Sequence, residues 1–147
     1  MKKIIMAAIG LTALMTGPAL MAGGKREKVE ISFDELKGLE DKKGRTLDGS
    51  IKFYFADEKS SLKGGEEISA RGNTMQKGSQ EDRCVKAMLA AFISFQERAK
   101  RDGKTAVVDV RTFSEADVSS GSRKKCLCVG GNLRTGTTVK GRLAGGK

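Results

Sequence analysis

The stretch SQEDRCVKAMLAAFISFQERAKRDG, residues 79–103, decides the fold. Within it Cys84, Val85, Met88, Leu89, Ala91, Phe92, Phe95 and Ala99 recur at spacings of three and four, which gathers them on one wide apolar face of an α-helix. Ser79 and Asp82 stand where a capping box places its two side chains, the hydroxyl and the carboxylate each accepting from a backbone N–H that the first turn leaves without a partner. Gln96, Glu97, Lys100 and Arg101 are assigned to the water-facing side, with cations in the last turn, where the helix dipole favours them. Gly103 then supplies the left-handed residue that stops the helix.

Outward from this helix the chain reads as strands. Downstream, TAVVDVRTF (105–113) is β-branched and half alternating, with Ala106, Val108 and Val110 on one face and Val107, Asp109, Arg111 and Phe113 on the other. A turn region, SEADVSSGSRKK, leads to a second strand, KCLCV (125–129); Gly130 and Gly131 interrupt it, and β character resumes over 135–143. Upstream, IKFYF (51–55) is aromatic-rich and strand-like, ADEKSSLKGGEE reads as a loop turning at Gly64 and Gly65, and ISARGNTMQK (68–77) is polar with no decided period. The order strand, helix, strand, strand, strand is satisfied by an α+β domain over 51–147, with one long amphipathic helix packed on a small, mainly antiparallel sheet.

Residues 23–50 are charged and poor in apolar side chains. Val29, Ile31 and Phe33 alternate as in a short strand, residues 34–36 could form a helical turn, and Gly38, Gly44 and Gly49 punctuate the remainder of the stretch. This stretch is expected to be a charged N-terminal arm or an edge element. Ahead of it, Lys2 and Lys3 precede an uncharged apolar run, IIMAAIGLTAL (4–14), then Gly17-Pro18, and small residues up to Ala22. That pattern predicts a signal peptide over 1–22, cleaved near Ala22, and a periplasmic or secreted mature protein. The run is shorter than the roughly 20 apolar residues a spanning helix needs, so no transmembrane span is expected.

The chain carries a formal charge of +10, which loss of Lys2 and Lys3 lowers to +8. Lys and Arg are scattered among acids along the sequence, the pattern of a solubilising charge spread over all faces, although a basic exported protein can also meet anionic envelope polymers. Six Phe, one Tyr and no Trp argue against a base-stacking surface and for an aliphatic, Ala-rich core, and no nucleic-acid partner is expected. There is no His, which removes the usual general base near neutral pH. Asp109 and Glu97 fall on faces read as exposed, and no acidic pair stands out. Gly103-Lys104-Thr105 imitates the end of a phosphate-binding loop, but Arg98 stands where its first Gly belongs, and the tripeptide follows a helix and precedes a strand, the reverse of the required order. GNLRTGT (131–137) lacks a Lys after its second Gly. No catalytic residue, cofactor or metal site is assigned.

Three cysteines remain. Cys126 and Cys128 are two apart in a strand and so share a face. A helix covering that face brings Cys84 to one of them, and a bridge there would be worth about 4 kcal/mol by chain entropy. An oxidising compartment favours that outcome. A thiol-based metal-binding or redox protein using Cys84, Cys126 and Cys128 is the alternative, although three thiols without His make an incomplete zinc set; an intermolecular link through the leftover thiol is a further one.

The layout from Arg71 to Leu143, RGNTMQKGSQEDRCVKAMLAAFISFQERAKRDGKTAVVDVRTF followed by KKCLCVGGNLRTGTTVKGRL, resembles a group of small secreted bacterial proteins of unknown function that often carry an "excinuclease ATPase subunit"-like name. In them a Cys opens a long helix, the helix ends in a G-x-x-A-V strand, and a second Cys opens a strand that leads to a V-x-L-K-G-like segment. Cys84, Gly103, Ala106, Val107 and Cys126 fall at those places, and residues 139–141 (VKG) match the closing segment. Cys128 is an addition, and Lys104 and Thr105 replace small or amide residues. The ATPase in the name finds no phosphate-binding loop here. More distantly, the helix–strand–hairpin order with paired cysteines is similar to the envelope-stress sensor lipoprotein domain of the Rcs phosphorelay, which implies a disulfide-stapled binding or sensing module. This chain has neither a lipid-anchor Cys nor a second Cys pair. With these resemblances the expected bridge is Cys84–Cys126, leaving Cys128 as the spare thiol and Ser79 and Gly103 as structural residues. The expected function is that of a non-enzymatic binding or structural protein of the cell envelope, its partner a protein or an anionic polymer.

Overall fold

A computed structural model describes residues 27–75, 77–114, 118–131 and 134–146. The expected signal peptide and cleavage near Ala22 lie outside the described residues. The elements are β1 (Glu27–Ile31), a 3₁₀ turn (Phe33–Leu36), β2 (Lys52–Phe55), β3 (Gly64–Thr74), α1 (Gln80–Arg101), β4 (Ala106–Phe113), β5 (Ser119–Ser120), β6 (Cys126–Gly130) and β7 (Thr135–Ala144). The α+β class holds, with one α-helix against one sheet. The sheet is mixed, not the mainly antiparallel one expected: β2 runs parallel to β4, with Lys52 opposite Ala106 and Phe53 opposite Val107. Between those two strands the chain makes β3 and the whole of α1, the kind of crossover that a parallel pair requires.

The sheet order is β1-β6-β7-β4-β2, with β3 added to β7 and β5 to β4. β7 carries β3 along one edge. Along its other edge it pairs β6 at Thr135 and Gly136, and β4 from Thr138 onward. Two threonines close the fork where β6 and β4 part: Thr137 Oγ1 donates to the Leu127 carbonyl at 2.6 Å, and the Leu127 N–H donates to Thr112 Oγ1 at 2.9 Å. Both threonines are buried, so each hydroxyl has found the partner that burial demands.

α1 ends as its sequence dictates, and at its start the Ser79 half of the expected capping box is present. The Ser79 hydroxyl accepts from the Asp82 N–H at 3.1 Å. At the other end Gly103 has φ +70°, its N–H donates to the Lys100 carbonyl at 3.1 Å, and the Lys104 N–H donates to the Ala99 carbonyl at 2.8 Å. That pair of bonds is a Schellman stop. The helix buries Cys84, Ala87, Met88, Leu89, Ala91, Phe92, Ile93, Phe95 and Ala99, and also Gln96, which is 1% exposed and not on the water-facing side assigned to it.

The core is chiefly aliphatic and rich in Ala, as expected, with an aromatic cluster at its heart: Phe33, Phe53, Phe55 and Phe92 pack on one another at centroid distances of 4.9–5.9 Å. Of the two readings of the charged N-terminal stretch, the edge element is the one its described part takes: β1 stands at the end of the sheet order and pairs β6 antiparallel along its whole length, while Ile31, Phe33 and Leu36 are buried in the core. The domain therefore extends upstream of residue 51. β3 occupies residues read as loop and ambiguous sequence; only its inward Gly72 and Thr74 are buried, so it shows almost no apolar alternation.

Candidate functional site

Two features stand apart from ordinary packing. The first is the cysteine cluster. Cys84, Cys126 and Cys128 are all fully buried, and Cys126 and Cys128 share the inward face of β6 as their spacing requires. The bridge joins Cys84 to Cys128 with Cα atoms 5.8 Å apart, and the free thiol is Cys126. The expected Cys84–Cys126 pairing and the assignment of Cys128 as spare are thereby reversed.

The reason is where the helix starts along the strand. Arg83 Nη2 donates to the Gly131 carbonyl at 2.6 Å, and Gln80 lies against Gly130, so the first turn of α1 sits over the hairpin end of β6. Cys84, one residue after Arg83, consequently meets the nearer cysteine. Cys126 is about 6–7 Å further along the same face, where its Sγ lies 3.8 Å from the Arg123 carbonyl. Burial pushes its thiol up to about 12, which makes it a neutral, unreactive group at any ordinary pH. Two of the three sulfurs are thus joined in the bridge, and the third is a buried thiol beside it.

Arg123 forms a hub beside Cys126 that sequence reading missed. Its guanidinium stacks over the rings of Phe33 and Phe55 at 4.9 and 5.5 Å, binds Glu58 at 3.1 Å and donates to the Phe53 carbonyl. In turn the Phe33 N–H donates to the Arg123 carbonyl at 2.8 Å. One side chain thus ties the 3₁₀ turn, β2 and the loop before β6 together; nothing in a run such as SRKK marks which cation does so.

The second feature is a groove of about 430 Å³ between α1 and β3. Arg45, Arg71, Arg98 and Arg101 line it, with Ser94, Phe95 and Glu97 along the helix and Ile68, Ser69 and Ala70 along the strand. Cations that look scattered in the sequence are gathered here by the fold. Asp41 holds Arg45 at 2.7 Å, and Asp102 lies 3.9 Å from Arg98. Among the described residues Arg71 and Arg101 form no ion pair, so the groove keeps positive charge. Ser79 and Gly103 hold their structural places at the two ends of the helix. Asp109 and Glu97, the acids considered for chemistry, lie on different elements; Asp109 faces Arg111 and Arg142 at 3.4 and 4.0 Å.

Among the described residues no helix is long and apolar enough to cross a membrane. Comparison with known proteins finds no matching family model, no matching curated protein and no matching solved structure.

Proposed function

We propose that the chain is an exported, non-enzymatic binding module of the cell envelope, stapled by a disulfide. The observation that carries this reading is the fully buried Cys84–Cys128 bridge between the start of the only α-helix described and the sheet. A bridge in that position does structural work only where thiols are kept oxidised. The signal-peptide pattern over 1–22 and the resemblance to small secreted proteins point the same way, and the basic groove gives such a module a surface on which to bind.

Rapid alkylation of intact cells, followed by fractionation and non-reducing peptide mapping, tests the proposal. A chain beginning near Gly23, in an extracytoplasmic fraction, with a linked Cys84–Cys128 peptide and an unmodified Cys126 that reacts only after unfolding, is the expected result. A chain that retains Met1 in the cytosol with three alkylatable thiols would overturn it.

A further inference from the structure

β3 ends the sheet on the side away from β4. Among the described residues its only neighbour in the sheet is β7, so its other edge presents main-chain N–H and C=O groups to no strand. Such edges are normally blunted by bulges or charge. The first part of β3 is guarded in this way: the register slips between Gly64 and Glu67, and Glu66 and Glu67 are exposed there. From Glu67 to Thr74 the pairing with β7 runs without interruption. Beside this regular part lies the groove lined by Arg45, Arg71, Arg98 and Arg101. At its end Met75 is 70% exposed.

From this juxtaposition we infer that the edge of β3 from Ile68 to Asn73 is a docking site for an extended acidic peptide segment of a partner protein, which adds to the sheet as a further strand while its carboxylates meet Arg71 and Arg101. Main-chain bonds supply the affinity in this mode and side-chain chemistry supplies the choice of partner. The six edge residues span about 20 Å, the length of an ordinary strand. Glu66 and Glu67 repel an acidic segment from the guarded end and so fix where it lies; Glu97 is the one acid lining the groove itself. A second copy of the chain is disfavoured in this role, because it would bring a second set of unpaired arginines to the same edge. The site rests on the reading of the chain as a binding module and names the class of its partner.

The test is titration of the purified protein with a labelled ten-residue peptide alternating Glu with Val or Thr, followed by anisotropy and by amide exchange. Saturable binding, slowed exchange of amides within 64–74, loss of binding when every peptide amide is methylated, and weakening of at least about tenfold in Arg71→Glu/Arg101→Glu are expected. Equal binding of the methylated peptide would show a surface that reads charge alone, as for a polymeric anion, and would overturn strand addition. Self-association of the protein through 64–74, or no binding at low salt by a protein whose circular dichroism is native, would overturn it as well. Those failures leave the location and linkage of the chain untouched, since peptide mapping from cells scores them separately.

Discussion

Gln96 shows how a polar side chain can be read onto the wrong face. It stands four residues after Phe92 and three before Ala99, so the helical period alone puts it inward; only its polarity suggested water. Its amide serves as a two-sided clamp on the chain before β2: Nε2 donates to the Thr46 carbonyl at 2.8 Å, and Oε1 accepts from the Asp48 N–H at 3.0 Å. Gln96→Ala leaves both backbone groups without partners, and we expect a loss of about 1–3 kcal/mol in urea unfolding, with faster exchange of the Asp48 amide. An unchanged urea midpoint would mean that water replaces the clamp at no cost. Next to it, Lys100 binds the Asp48 carboxylate, and this bond, with help from Ser50, holds Asp48 well below the usual carboxylate range. Because the folded value is the lower one, the stabilisation is complete above about pH 4 and fades as pH falls below it. Asp48→Asn should therefore be less stable than the parent at pH 7 and converge with it in acid, the gap at pH 7 narrowing with salt because both side chains are partly exposed. A gap that stays constant with pH would assign the effect to something other than this carboxylate. Asp109 is the residue at which strand reading failed. The alternation of Ala106, Val108 and Val110 breaks there, since Asp109 takes φ +53° in a bulge and puts Val107 and Val110 into the main core while Ala106 and Val108 pack with Ala144 on another patch. Asp tolerates that conformation better than most residues, but nothing local requires it to adopt it.

At the scale of elements, what was legible followed the strength of the period. α1, β4, β6 and β7 announce themselves by apolar spacing and by their caps and turns. β3 does not, because it is an edge strand whose inward positions, Ile68, Ala70 and Gly72, are small or only half-buried. Those small residues are there for a reason that becomes visible only with α1 in place. A Cβ built on Gly72 would overlap the Ala87 carbonyl oxygen and crowd the Ala91 N–H, so the helix backbone lies directly on the strand. Gly72→Ala must push helix and strand apart, and we expect it to cost about 3 kcal/mol or to abolish folding. Gly65→Ala, seven residues earlier in the same strand, places its Cβ 3.6 Å from the Leu143 carbonyl, an ordinary contact, and should change stability by no more than about 0.5 kcal/mol. Equal melting temperatures for the two variants would refute the close approach. The groove beside β3 was illegible for a related reason: Arg45, Arg71, Arg98 and Arg101 come from a loop, a strand and a helix, and linear charge patterning cannot register a cluster that only the crossover assembles.

For the molecule as a whole, the class of fold and the need for a bridge from helix to sheet could be read from 147 residues, whereas the pairing of strands and the choice of cysteine could not. Both depend on where α1 sits along the sheet, a distance that no local pattern encodes. The finished arrangement holds the helix differently at its two ends. Near the start, Cys84–Cys128 and the Arg83–Gly131 hydrogen bond fasten it to β6; near the end, Gln96 and Lys100 fasten it to residues 46–48. Removing the bridge should therefore loosen one end first. Joining positions 44 apart in sequence restricts the unfolded chain by about 4 kcal/mol at 25 °C, and the double variant Cys84→Ala/Cys128→Ala should lose most of that amount. Its dependence on urea should steepen, because an uncrosslinked unfolded chain exposes more surface. Amides in the first half of α1 should exchange faster by a larger factor than those near Gln96, whose anchors remain. Cys126→Ala, which removes a buried sulfur and no crosslink, should cost about 1 kcal/mol and leave that gradient absent. A double variant that loses protection evenly along the helix would show that the two ends are one cooperative unit, and that the bridge acts on the unfolded chain alone.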